Sequence, residues 1–160
     1  MSVAGIKALT FDTGGTILDW HTGIRTTLSE LGAAHGINAD WAAITNEFRR
    51  RSLEGMLNQG EHGPATKNFD DVHRETMDAI ASEFGLEAFT AEERRRVWWD
   101  TVHGLQCWPD FPPVLPQLRE RYFCVSFTIL SFRIIMDTAR RNRLSWDAVV
   151  SCEAIGKYKV

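Results

Sequence analysis

Apolar residues follow two rhythms along this chain. Three short runs, "IKALTF" at 6–11, "YFCVSFT" at 122–128 and "WDAVVSC" at 146–152, have the length and residue types of strands. Between the first two, apolar positions recur every three or four residues for most of a hundred residues. Ile24, Leu28 and Leu31 mark one helix, and Trp41, Ile44, Phe48 and Met56 a second. "NQGEHGPATKN" then reads as a polar loop. Phe69, Val72, Ile80 and Phe84 outline a third helix, closed by Gly85. Thr90 and Glu93 form a capping box for a fourth, with Val97 and Trp98 inside it. The prolines of "CWPDFPPVLP" break the helical region, and a short helix around Leu115 and Leu118 leads out of it. Ile135, Ala139 and Leu144 place a further helix between the second and third runs.

The order is strand, long helical stretch, strand, helix, strand. This predicts an α/β core on a parallel sheet, interrupted by a helical module. The first run reads as a buried strand. The later two are near-continuous apolar runs, as expected of strands covered on both faces.

Composition adds limits rather than detail. A chain of 160 residues is one domain, or a small core with an insert. A net charge of −3 gives no basic surface for nucleic acid, and no apolar run is long enough for a membrane span. No secretory leader pattern opens the sequence. Cys107, Cys124 and Cys152 are odd in number and form no CxxC pair, so they read as free thiols in a cytoplasmic protein. The triplets Arg49-Arg50-Arg51 and Arg94-Arg95-Arg96 have acids close by and read as solvated helix faces.

The chemistry gathers at strand ends. Asp12 ends the first strand and Thr128 the second, and Lys159 closely follows the third. In open parallel sheets ligands bind beyond these carboxyl ends. An acid, a hydroxyl and an ammonium brought to one edge suit covalent catalysis by a carboxylate. Gly14 and Gly15 allow a sharp turn that aims backbone N–H groups at an anion. Asp19 lies past that turn and reads as a helix-start acid.

These residues resemble a known family. "FDTGGTILD" is similar to the first motif of the haloacid dehalogenase superfamily, an apolar strand followed by D-x-x-G-T, here Asp12, Gly15 and Thr16. "SCEAIGKYK" resembles the third-motif region of its 2-haloacid dehalogenase branch, ending in Tyr158 and Lys159, and Thr128 falls at the second motif. The resemblance implies a Rossmann-like core at 1–19 and 106–160, with a helical cap inserted at 20–105. It implies that Asp12 attacks the halogen-bearing carbon of a short 2-haloacid, and that water then hydrolyses the resulting ester. Lys159 would favour the ionised nucleophile, by about 4 kcal/mol for unit charges 4 Å apart at an effective dielectric near 20. Thr16 and Thr128 would orient the carboxylate or the substrate. "NEFRRRSLE" is similar to the cap helix that carries an Arg, with Arg49 at the matching position. Trp98 and Trp99 sit where the cap of a homodimer could pair.

One residue separates the chemistries. The superfamily's phosphatases place an acid two residues after the nucleophile, to protonate the leaving alcohol. Gly14 stands there and has no proton to give, which in a phosphatase would cost roughly 10²–10⁴ in rate. Halide needs no protonation, so no cofactor is expected. The alternatives are a Mg²⁺-dependent phosphatase or phosphonatase of the same superfamily, and a truncated, non-catalytic relative acting as a binding or oligomerising module. Two departures bear on this. Ile129 stands where the dehalogenases often place an Asn that helps hold the halide, and Gly14 replaces a bulky aromatic. The sequence also ends at Val160, before the family's fourth motif, which would leave the first strand as a sheet edge.

Overall fold

A computed structural model of the chain describes residues 5–57, 59 and 65–158. Strand β1 (Ala8–Phe11) is followed by helices α1 (Trp20–Ala34), α2 (Trp41–Leu57), α3 (Phe69–Glu83) and α4 (Ala91–Arg95). A π-helical turn (Arg96–Thr101) and α5 (Phe111–Arg119) lead to β2 (Phe123–Thr128). Helix α6 (Phe132–Asn142), β3 (Ala148–Ser151) and the short α7 (Cys152–Ile155) complete the order. The strands are parallel in the order β1-β2-β3, with Phe11 opposite Ser126 and Thr128 opposite Ser151. All three carboxyl ends therefore face the same edge.

Local chemistry sets most helix ends. Asp19 caps α1, its carboxylate accepting from the Thr22 N–H at 3.1 Å. Thr90 and Glu93 make the expected capping box on α4. A second capping box, Asn68 with Asp71, opens α3. Gly85, at φ +70°, follows the last turn of α3. The apolar stripes of α1 and α2 (Ile24, Leu28, Leu31; Ile44, Phe48, Met56) turn inward. They join one core with Ile17, Leu18, Ile129, Leu130, Ile134 and Cys152. The helical stretch and the sheet thus share a single apolar interior.

Three expectations need correction. The first run is not a buried strand: Ala8 and Thr10 are exposed, and Leu9 and Phe11 half-buried. Among the described residues β1 pairs only with β2, so its apolar composition does not make it central. The later strands are not covered equally on both faces. In β2, Cys124, Ser126 and Thr128 are buried, while Phe123 is 58% exposed. As expected, the proline-rich stretch breaks the helical region, and the short helix α5, which carries Leu115 and Leu118, leads out of the break. Pro112 and Pro113 sit in its first turn, where a missing N–H is not needed. The fourth helix does not run on regularly from Thr90: after five α-helical residues it widens into the π-helical turn. Of the polar loop, residues 58 and 60–64 lie outside the described residues, and 65–68 are neither helix nor strand.

Candidate active site

Asp12 follows the last residue of β1 and begins the turn that leads to α1. Thr16 folds back along that turn and donates its hydroxyl to Asp12 Oδ2 at 3.1 Å. Gly15 has φ +103°, a conformation that side chains rarely adopt. Its carbonyl accepts from Trp108 Nε1 at 3.0 Å. A Cβ at this position would also lie 3.2 Å from Trp20 Nε1. The turn is therefore held between two indoles as well as by its own hydrogen bonds.

Arg49 comes to this turn from α2. Its Nη2 donates to the Gly14 carbonyl at 3.1 Å. Its guanidinium carbon lies 5.4 Å from the Trp20 ring centre and 5.9 Å from that of Phe69, within cation–π range. Burial lowers the Arg49 pKa, and the nearby Asp12 charge works against that shift. The rest of the triplet faces elsewhere. Arg50 pairs with Glu47 and Glu54, and Arg51 with Glu47 and Glu83, on the outer face of the helix. Successive helical positions are turned by about 100°, which is why one arginine of three can point inward.

Gly14 is the neighbour that makes this possible. A Cβ there would lie 3.1 Å from Arg49 Nη2 and 3.8 Å from the Leu130 methyls. The space that a side chain would take at position 14 is filled by the guanidinium.

Thr128 is fully buried. Its hydroxyl oxygen accepts from Thr13 Oγ1 at 2.8 Å and from the Leu130 N–H at 3.2 Å. It ties the end of β2 to the turn after β1 through Thr13, rather than standing open to a ligand. Leu130 is fixed in turn, its carbonyl accepting from Ser151 Oγ at 2.6 Å. The three strand ends are stitched together in this way. Ile129 is 8% exposed and packs into the core. Tyr158 is buried, and Lys159 lies outside the described residues.

Sequence reasoning missed several groups now seen at this edge: Thr13, Trp20, Phe69, Leu130 and Trp108. Each is an apolar or hydroxyl side chain whose partner here, Thr128, Arg49 or the glycine turn, is set by folding. Among the described residues, no group of three His, Cys, Asp or Glu side chains could hold a metal ion. The second residue after Asp12 is a glycine with no room for a ligand side chain. The described residues therefore do not fit a Mg²⁺ site.

No family model matches the sequence, and no curated protein matches it. Solved structures do. An L-2-haloacid dehalogenase superposes with a TM-score of 0.83 at 26% identity, over 97% of this chain and 66% of the enzyme. A defluorinating L-2-haloacid dehalogenase gives 0.83 at 27% identity, over 96% and 63%. The chain has the haloacid dehalogenase fold. The enzyme from Xanthobacter autotrophicus shares that fold at 22% identity and a TM-score of 0.74, over 96% of this chain and 60% of its own length. This chain thus spans about two thirds, or less, of these dehalogenases. Within the described part, the haloacid dehalogenase fold delivers Asp12, Thr16 and the Gly14–Gly15 turn to the strand edge and brings Arg49 over them. No described helix is long and apolar enough to cross a membrane.

Proposed function

We propose that this chain carries the nucleophile half of a hydrolytic dehalogenase acting on short 2-haloacids. The observation that supports this best is the pairing of Arg49 with Gly14. The guanidinium occupies the space where a phosphatase of this fold would need its acid, and Nη2 holds the Gly14 carbonyl at 3.1 Å. The site has a carboxylate and a cation, and no room for a general acid between them. Displacement of a leaving group that needs no proton fits that set.

In this reading an Asp12 carboxylate oxygen attacks C2 of the haloacid. The C–O bond forms as the carbon–halogen bond breaks, and halide leaves with the electron pair. Water then adds to the Asp12 carboxyl carbon, releasing a 2-hydroxy acid and a proton and restoring the carboxylate. Thr16 orients Asp12 by its hydrogen bond. Arg49 attracts the anionic substrate and stabilises the departing halide, in a half-buried setting where a charge acts more strongly than in water. Lys159 is proposed to favour the ionised nucleophile. The stretch 20–105 is proposed as a cap, 1–19 and 106–160 as the core, and Thr128 as support for the turn. One structure of the Xanthobacter autotrophicus enzyme was solved with chloropropionic acid covalently bound, in keeping with an ester route on this fold.

The test is halide release from 2-chloropropionate, followed with the wild type and Asp12→Asn. Release that vanishes in the variant is the expected result. Undiminished release in Asp12→Asn, or phosphate release sensitive to EDTA in place of halide, would overturn the reading.

A further inference from the structure

His103 stands outside the chemistry proposed above. It follows the π-helical turn and is 7% exposed. Its Nε2 lies 3.1 Å from Asp70 Oδ1, and its Nδ1 lies 2.8 Å from Asp137 Oδ2. Asp70 is in the first turn of α3 and Asp137 is in α6, so one ring spans from the helical stretch to the helix between β2 and β3. Trp99 stacks on the imidazole, with ring centres 4.0 Å apart and planes inclined by 28°.

Both carboxylates are engaged beyond the ring. Ser131, the N-cap of α6, donates to Asp70 Oδ2 at 2.7 Å. Arg133 Nε donates to Asp137 Oδ2 at 2.6 Å. Burial opposes ionisation of each acid. Hydrogen bonds from His103 and Ser131 prevail for Asp70, those from Arg133 and His103 prevail for Asp137, and both carboxyls are held below the usual range. A carboxylate only accepts. An imidazole with one carboxylate at each nitrogen therefore donates from both, which the neutral ring cannot do. The form that satisfies this geometry is the imidazolium.

We infer that His103 is a positioning residue whose imidazolium staples α3 to α6 through Asp70 and Asp137, and so fixes the turn of α3 that places Phe69 beside the Arg49 guanidinium. Phe69 is the neighbour of Asp70, and its ring centre lies 5.9 Å from the guanidinium carbon. The same turn has a second tie to the sheet side, because Asn68 Nδ2 donates to Glu153 Oε1 at 3.1 Å. With the Ser131 hydroxyl on Asp70, three contacts thus hold the start of α3, and one of them is the His103 ring.

Charged groups of both signs surround the ring. Asp70 faces it from α3 and Asp137 from α6, both in direct contact. His73, also on α3, is kept neutral by burial and by Arg49, its pKa pushed down to about 3. Arg133 is bound to Asp137, while Arg140 and Arg141 line the same pocket as the ring together with Asp100 of the π-helical turn. Repulsion from the arginines is opposed by Asp100 and by two carboxylates at hydrogen-bond distance, where attraction is strongest.

The staple's effect on turnover rests on the dehalogenase reading, but the staple itself does not. Nitrogen-detected NMR on histidine-labelled protein should find two bonded protons on the His103 ring near neutral pH, and one proton would overturn the proposal. Amide exchange across residues 69–73 is then compared between the wild type and His103→Gln at one pH. Protection should be about tenfold or more lower in the variant. Protection that His103→Gln retains in full would overturn the staple. Should that variant fail to fold, Asp70→Asn, which keeps the size of the side chain, must show the same loss. Halide release from 2-chloropropionate is measured alongside. No release by the wild type would defeat the dehalogenase reading, while the exchange data still decide the staple.

Discussion

At the residue scale the site turns on one guanidinium and the glycine that makes room for it. Arg49 reaches the Gly14 carbonyl because nothing projects from position 14. Gly14→Ala should leave the fold intact, since the contact is with the end of a flexible side chain. It should still displace Nη2, and halide release should fall by about 10–100-fold, the usual consequence of a small misplacement at a reacting centre. Steady-state kinetics beside a thermal melt would check both halves of that statement. Arg49→Lys keeps the charge but not the planar fork that meets Gly14, Trp20 and Phe69 together. Its kcat/KM should fall by about tenfold or more, with little recovery at high substrate. The importance of position 14 was legible in the sequence, because a glycine stands where an acid would serve phosphate chemistry. Its tight fit against Arg49 was not, since the two are 35 residues apart and meet only in the folded chain.

At the element scale, helix ends carry more of the architecture than their length suggests. Asn68 caps α3 and also reaches Glu153, whose other oxygen accepts from the Phe132 N–H at 2.8 Å. One side chain therefore serves α3 and a contact to α7. Asn68→Ala should destabilise the protein by about 1–2 kcal/mol, measured by urea unfolding, against about 1 kcal/mol for Thr90→Ala, which loses its own capping box. Capping of this kind is local and readable: Thr90, Glu93 and Asp19 took their expected places. The π-helical turn had no such signal. "RVWWDT" satisfies an ordinary helical pattern, and the wider turn follows from packing that sets Trp99 over His103 and Thr101 against Thr27. The arginine triplet shows the same limit, for periodicity separates its three faces without saying which one finds Asp12.

At the scale of the whole molecule, buried titratable groups should set the acid limit of stability. His73 is stacked between Phe48 and Phe69, and burial together with Arg49 lowers its pKa to about 3. Its folded pKa lies below the ordinary value near 6.5, so the unfolded chain takes up the proton first. Stability is full above that value and falls as the pH drops towards about 3, by up to about 1.4 kcal/mol per pH unit from this group. The lowered carboxyls of Asp70 and Asp137 act in the same direction at lower pH. His73→Phe should flatten the first part of this fall and remove a buried Nδ1 that has no hydrogen-bond partner, which unfolding titrations across pH would show. The sequence by itself determined the order of strands and helices, the apolar stripes, the caps at Asp19, Thr90 and Gly85 and the strand-end acid, because each depends on neighbours within a few positions. It could not determine that Arg49 meets Gly14, that Thr128 binds Thr13, or that His103 joins two carboxylates. Those were decided by the tertiary structure alone, since burial and hydrogen-bond partners come from segments brought together across 33 to 115 residues of chain.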